Sequence, residues 1–158
     1  MRKLGRAGIA FAIMFLIQGA YAHLCSRQPE APIVTAAQIQ SLQSDKSLER
    51  RVVVVDVRAE AETDVSIIPG AITQTEFEKT KPQHRGKAVI AYCTVGHRSG
   101  KFAKKLRSEG WNAWNYKGSI LDWCKNQLPV VSKDGNHTSR VHTYNTRYSV
   151  AAGYQAVH

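Results

Sequence analysis

The stretch Ala88-Val89-Ile90-Ala91-Tyr92-Cys93-Thr94-Val95-Gly96-His97-Arg98-Ser99-Gly100 decides the reading of this chain. An apolar run ends on a cysteine, a short polar loop follows, and apolar residues then recur at helical spacing up to Gly110. The run Lys87 to Tyr92 reads as a buried strand. Ser99 to Gly110 reads as an amphipathic helix with Phe102, Leu106 and Ala103 inward and Gly110 at its C-terminus. Ser99 is its expected cap. This order places Cys93 at the carboxyl end of a strand, under a helix N-terminus. Loop N–H groups and the helix dipole favour an anion there. The same field makes a thiol a better nucleophile. A lone cysteine after an apolar strand is most often inert packing. Gly96, Arg98 and Ser99 behind it turn the reading toward a reactive centre.

Working outward, Val52-Val53-Val54-Val55 is a β-branched run suited to a strand covered on both faces. Asp56-Val57-Arg58 follows at its carboxyl end. Thr35 is placed to cap a helix through Leu42, with Ile39 and Leu42 inward. Ile33-Val34 reads as a short edge strand and Ser44 to Arg50 as a polar turn. Ala59 to Val65 suits one helical turn, and Glu76 to Lys79 a short helix. Trp111 to Tyr116 reads as a further strand, Ile120 to Asn126 as a helix, and Leu128 to Val131 as the close of the domain. Strands and helices alternating in this way imply an α/β fold with a mostly parallel central sheet flanked by helices. Ligands of such sheets sit beyond the carboxyl ends of the strands, where Asp56 to Arg58 and Cys93 both fall.

The flanks differ. Residues 1–22 hold Arg2, Lys3 and Arg6, an apolar run from Gly8 to Ile17, and Ala20-Tyr21-Ala22. That is the layout of a secretory signal peptide, with an uncleaved membrane anchor as the alternative. Export to the periplasm or the medium is therefore expected. Residues 23–32 read as a linker, 33–131 as the folded domain, and 132–158 as a C-terminal extension. The extension alternates weakly from Arg140 to Tyr148, which suits an edge strand, a cover for the active-site mouth, or a disordered tail.

The net charge is +10; removing the three basic residues of the leader leaves +7. A solvated basic face explains this, or attraction of small anions or of an anionic membrane surface. The basic residues are dispersed, which argues against nucleic acid. Cys25, Cys93 and Cys124 are an odd set, so an exported chain keeps at least one thiol unpaired. Cys25 and Cys124 could pair with each other, and Cys124 suits core packing or a resolving thiol. The histidines lack metal-ligand spacing, so no metal and no cofactor is expected. Trp111, Trp114 and Trp123 read as packing residues.

Four landmarks together carry a family resemblance: Asp56-Val57-Arg58, Ile68-Pro69-Gly70-Ala71-Ile72, Tyr92 to Ser99, and Tyr116-Lys117-Gly118-Ser119-Ile120-Leu121-Asp122-Trp123. In this order they resemble a single-domain rhodanese, a sulfurtransferase, over roughly Ile33 to Val131. The resemblance implies that Cys93 takes a sulfane sulfur from a small anionic donor such as thiosulfate. It becomes a persulfide and passes the sulfur to a thiophilic acceptor, a thiol or a protein. The backbone of Thr94, Val95, Gly96, His97, Arg98 and Ser99 would cradle the leaving sulfite. Arg98 would bind the donor oxyanion. His97 would add charge or a hydrogen bond, or be only an exposed loop residue. Asp56 and Arg58 would be structural, fixing neighbouring loops.

Two positions depart from the family pattern. Ile67 stands where many members have histidine, and Ser119 where many have a second glycine. Two further functions remain open. One is a non-enzymatic sulfur carrier or binding module on the same fold. The other is a phosphatase or arsenate-reductase-like enzyme, against which the Cys-x4-Arg spacing argues, because phosphatases resembling this loop use five residues.

Overall fold

The computed structural model describes residues 30–158. The expected leader at 1–22, most of the expected linker and Cys25 lie outside the described residues. Elements follow in the order α1 (Ala36–Ser44), α2 (Lys46–Glu49), β1 (Val52–Asp56), α3 (Glu60–Thr63), β2 (Ile72–Thr73), α4 (Gln74–Thr80), β3 (Ala88–Tyr92), α5 (His97–Ser108), β4 (Ala113–Asn115), α6 (Ser119–Lys125), β5 (Val130–Val131), β6 (His137–Thr138), β7 (Arg140–His142) and β8 (Gln155–Val157). A 3₁₀ turn at Lys81–His84 follows α4.

The central sheet has the order β2-β1-β3-β4, and every pairing in it is parallel. Val53 to Val55 and Val89 to Tyr92 are buried, as strands covered by helices on both faces must be. Side chains alternate across the sheet. Val54, Ile90 and Tyr92 join Ile39, Ile120 and Trp123 on one face. Val53, Val55, Val89, Ala91 and Cys93 join Phe77, Phe102, Leu106 and Trp111 on the other. This alternation sets the Cys93 side chain on the face covered by α5. Phe77 lies edge-on to Phe102 and Trp111, with ring centroids 6.0 and 5.6 Å away.

Three local expectations change. Ser44 to Arg50 is not merely a turn. Asp45 closes α1 and its carboxylate accepts from the Ser47 amide (2.8 Å), which starts α2. Ile33 makes a single parallel bridge to Asn115, with Pro32 and Val34 also bonded to Asn115, so the chain before α1 extends the sheet by one bridge rather than a strand. Helix α5 begins at His97, with Gly96 as its N-cap, so Ser99 lies inside the first turn instead of capping it.

The extension is ordered. Strands β5 and β6 pair antiparallel across the turn at Lys133 to Asn136, and β7 pairs with β8 in parallel. Strand β7 sits beside α3.

Candidate active site

The β3 strand delivers Cys93 with both of its backbone groups engaged. Its amide donates to Ser119 Oγ (3.0 Å), and its carbonyl accepts from the Ile120 amide (3.1 Å). The loop then turns sharply at Gly96, where φ is +89°. A Cβ there would stand 2.2 Å from the Lys117 carbonyl oxygen, so only glycine fits. The turn points the Gly96 amide back at Cys93 Sγ, 3.1 Å away. Ser99 Oγ lies 3.6 Å from the same sulfur and also donates to Asn115 Oδ1 (2.7 Å). Asn115 Nδ2 in turn donates to the Gly96 carbonyl (3.3 Å), bracing the loop from the end of β4.

Burial pushes the Cys93 thiol up. Hydrogen bonds from the Ser99 amide and hydroxyl and from the Val95 and Gly96 amides outweigh it, leaving the thiol below its ordinary value. Cys124 has only its own backbone amide within reach of the sulfur. It is fully buried, and burial pushes its thiol up to about 12, the profile of a packed residue.

The guanidinium of Arg98 reaches Glu62 through two bonds, Nη2 to Oε1 (2.8 Å) and Nη1 to Oε2 (2.5 Å). Thr94 Oγ1 accepts from Arg98 (2.8 Å) and donates to Glu62 Oε1 (3.0 Å). The Ala59 amide donates to Glu62 Oε2 (3.0 Å). Burial raises the Glu62 acid, but these bonds, Arg98's first among them, hold it below the ordinary carboxylate range. Arg98 is raised, chiefly by its hydrogen bonds to Glu62.

Cys93 faces a cavity of about 190 Å³. Thr94, Val95, His97 and Arg98 line it from the loop, and Tyr144 and Tyr148 from the extension. The ring of Tyr144 lies under Arg98, 5.1 Å from the guanidinium carbon to the ring centroid. Gly96 and Ser99 complete the cradle behind the sulfur.

Asp56 and Arg58 stand apart from this cavity. Their side chains form a fully buried ion pair (2.7 Å), and Arg58 Nη2 also donates to the Ser66 carbonyl (2.5 Å). The pair lies beside Tyr92, whose hydroxyl accepts from the Ile68 amide (2.9 Å). It thus ties β1 and β3 to the Ile68-Pro69-Gly70 turn.

Sequence reasoning did not assign Asn115, Tyr144 and Tyr148 to the site, nor Glu62 and Ser119. Glu62 comes from a separate one-turn helix, and its only signal was an acid just after a strand's carboxyl end. Ser119 was read as a turn position. It is buried, holds φ at +56°, and places its hydroxyl between the Cys93 amide, the Tyr116 carbonyl (2.9 Å) and Cys93 Sγ (3.9 Å).

The family model described as rhodanese-like domain matches residues 35–126. A sulfurtransferase from Allochromatium vinosum is 30% identical over 94 residues, covering 53% of this chain and 82% of that protein. Two solved structures are each 27% identical with a TM-score of 0.54. One, a protein from Bacillus halodurans, aligns over 75% of this chain and 88% of its own. The other, a rhodanese-related protein from Thermoplasma volcanium, aligns over 63% and 97%. The parallel sheet, the cysteine loop closing onto α5, and a match across more than half of the sequence agree: this chain belongs to the rhodanese-like domain family.

Proposed function

We propose that this protein is a sulfurtransferase that carries sulfane sulfur on Cys93, from a small anionic donor such as thiosulfate to a thiophilic acceptor. The observation that carries the reading is the convergence of the Gly96 amide and the Ser99 hydroxyl on Cys93 Sγ at the mouth of a small cavity. The likeness to the Allochromatium vinosum sulfurtransferase supports it.

In the first step the Cys93 thiolate attacks the outer sulfur of thiosulfate. A new S–S bond forms, and sulfite leaves with the electron pair of the broken bond. The N–H groups that favour the thiolate then favour the persulfide anion. In the second step a nucleophile attacks the outer sulfur, and the Cys93 thiolate is released. With cyanide the product is thiocyanate. The basic, apolar and small-residue pattern of residues 1–22 supports export as part of the same reading.

Arg98 favours a second reading. Its charge is already met by Glu62, which weakens its hold on a free dianion. A non-enzymatic carrier charged by a donor other than thiosulfate fits that feature.

Intact-mass measurement after thiosulfate treatment tests the reading. A reversible gain of one sulfur, absent in Cys93→Ser, supports transfer through Cys93. Steady thiocyanate production with cyanide distinguishes the enzyme from the carrier. A free, alkylatable Cys93 that gains sulfur from neither thiosulfate nor a persulfide overturns both.

A further inference from the structure

Residues 132–158 lie outside the family match, yet Tyr144 and Tyr148 form one side of the Cys93 cavity. The extension is anchored to hold them there. Because β7 and β8 pair in parallel, the chain between them is a strap with both ends pinned to the domain. At the first end Thr143 is fully buried. Its amide donates to the Val157 carbonyl (2.9 Å), and its hydroxyl meets His158 Nδ1 (2.9 Å). The Tyr144 amide donates to His142 Nδ1 (3.0 Å), which accompanies a φ of +73° at Tyr144. A non-glycine residue keeps that conformation only where its surroundings enforce it. At the far end the Tyr154 hydroxyl donates to the Leu128 carbonyl (2.6 Å), and Gln127 Nε2 to the Ala152 carbonyl (3.3 Å).

Resting on the persulfide reading above, we propose that this strap is the specificity wall of the site, and that Tyr144 and Tyr148 limit the sulfur acceptor to a small nucleophile, a low-molecular-weight thiol or anion, rather than a cysteine of a folded protein. Two magnitudes decide this. The cavity of about 190 Å³ is below the roughly 300 Å³ at which pockets for drug-sized ligands begin. Attack on the outer sulfur requires approach to about 3–3.5 Å. Cys93 is only 1% exposed, so a protein thiol would have to bring its own backbone into the mouth. Tyr144 stands there, 60% exposed, backed by Arg98. A small thiolate enters the cavity that Tyr144 and Tyr148 line. It bonds to the outer sulfur and takes it, while the electrons of the broken bond return to Cys93. The acceptor leaves as its own persulfide.

The test uses the full chain charged with thiosulfate, with charging verified by intact mass. Two second-order rate constants are measured for discharge, one onto cyanide and one onto reduced thioredoxin as the protein thiol. In Tyr144→Ala/Tyr148→Ala the ratio of protein to cyanide discharge should rise at least about tenfold. Tyr154→Phe, which loosens the far end and keeps both rings, should move the ratio the same way. A parallel measurement needs no persulfide: alkylation of Cys93 by iodoacetamide against a maleimide-polyethylene glycol should show the same change in ratio. If neither thiosulfate nor a persulfide charges Cys93, the sulfur-transfer reading falls while the alkylation ratio still judges the wall. Ratios unchanged in both variants, or a wild-type protein that discharges faster onto thioredoxin than onto cyanide, overturn the proposal.

Discussion

Arg98 and Glu62 face each other as a two-bond pair at the edge of the Cys93 cavity, with Thr94 bonded to both. The carboxylate therefore sets how much of the arginine's charge is left for an anion in that cavity. Glu62→Gln keeps the shape and removes the counter-charge. The KM for thiosulfate in charging Cys93 should fall several-fold. Stability should fall by about 1–3 kcal/mol, the range for weakening buried hydrogen bonds to a charged group. The sign with pH follows from the depressed acidity of Glu62. Its stabilisation is fully present above its ordinary value of 4.5 and is lost as pH falls through its lower folded value. The stability gap between wild type and variant should therefore close in acid. A KM that rises, or a gap that widens below pH 4, contradicts the account.

Ser119 combines a left-handed backbone with a hydroxyl that accepts from the Cys93 amide. Ser119→Ala keeps the strain and leaves that buried amide without its acceptor, at a cost of about 1–3 kcal/mol. Ser119→Gly loses the same bond but relieves about 1–2 kcal/mol of left-handed strain. The alanine variant should be the less stable of the two in urea titration. The reverse order would show that the positive φ at this position carries no strain for a non-glycine residue.

Gly96→Ala brings a Cβ against the Lys117 carbonyl at a positive φ. Neither backbone can yield without disturbing the amides aimed at Cys93. The variant should melt well below wild type, by more than about 2 kcal/mol of stability, and its Cys93 should alkylate more slowly at neutral pH. Wild-type reactivity in a folded Gly96→Ala protein would refute the cradle geometry.

Cys93 and Cys124 should separate cleanly by reactivity. Peptide-resolved labelling with iodoacetamide at pH 8 should modify Cys93 faster than Cys124 by well over about 100-fold, from thiolate fraction and access together. Ser99→Ala removes one hydroxyl from beside the thiolate and should raise the labelling midpoint of Cys93. An unmoved midpoint would mean that the backbone amides alone hold the thiolate.

The cysteine loop was legible because its parts are consecutive. Strand, thiol, glycine turn and helix start lie within one stretch, so local pattern is enough. The parallel sheet was legible for a related reason: Val52 to Val55 and Ala88 to Tyr92 carry the signature of strands covered on both faces. Glu62, Ser119, Tyr144 and Tyr148 reach the site from three other segments. No periodicity in a polar turn such as Glu60–Thr63 announces that its carboxylate will meet Arg98. Ser119 was noticed as a departure, but a residue type does not reveal a dihedral angle, and the positive φ is what aims its hydroxyl. The weak alternation from Arg140 offered a strand where β7 lies but left it beside two other readings, and nothing announced β8, because much of the extension's order comes from tertiary bonds such as Thr143 to His158.

The grip of α6 on both backbone groups of Cys93 has a kinematic consequence. The nucleophile has no hinge, so a bound sulfur can move only as far as side-chain torsions swing an S–S bond of about 2.05 Å. Cys93 is thus a fixed berth rather than a swinging arm. In the proposed sulfur transfer, donor and acceptor must therefore both come to the cysteine.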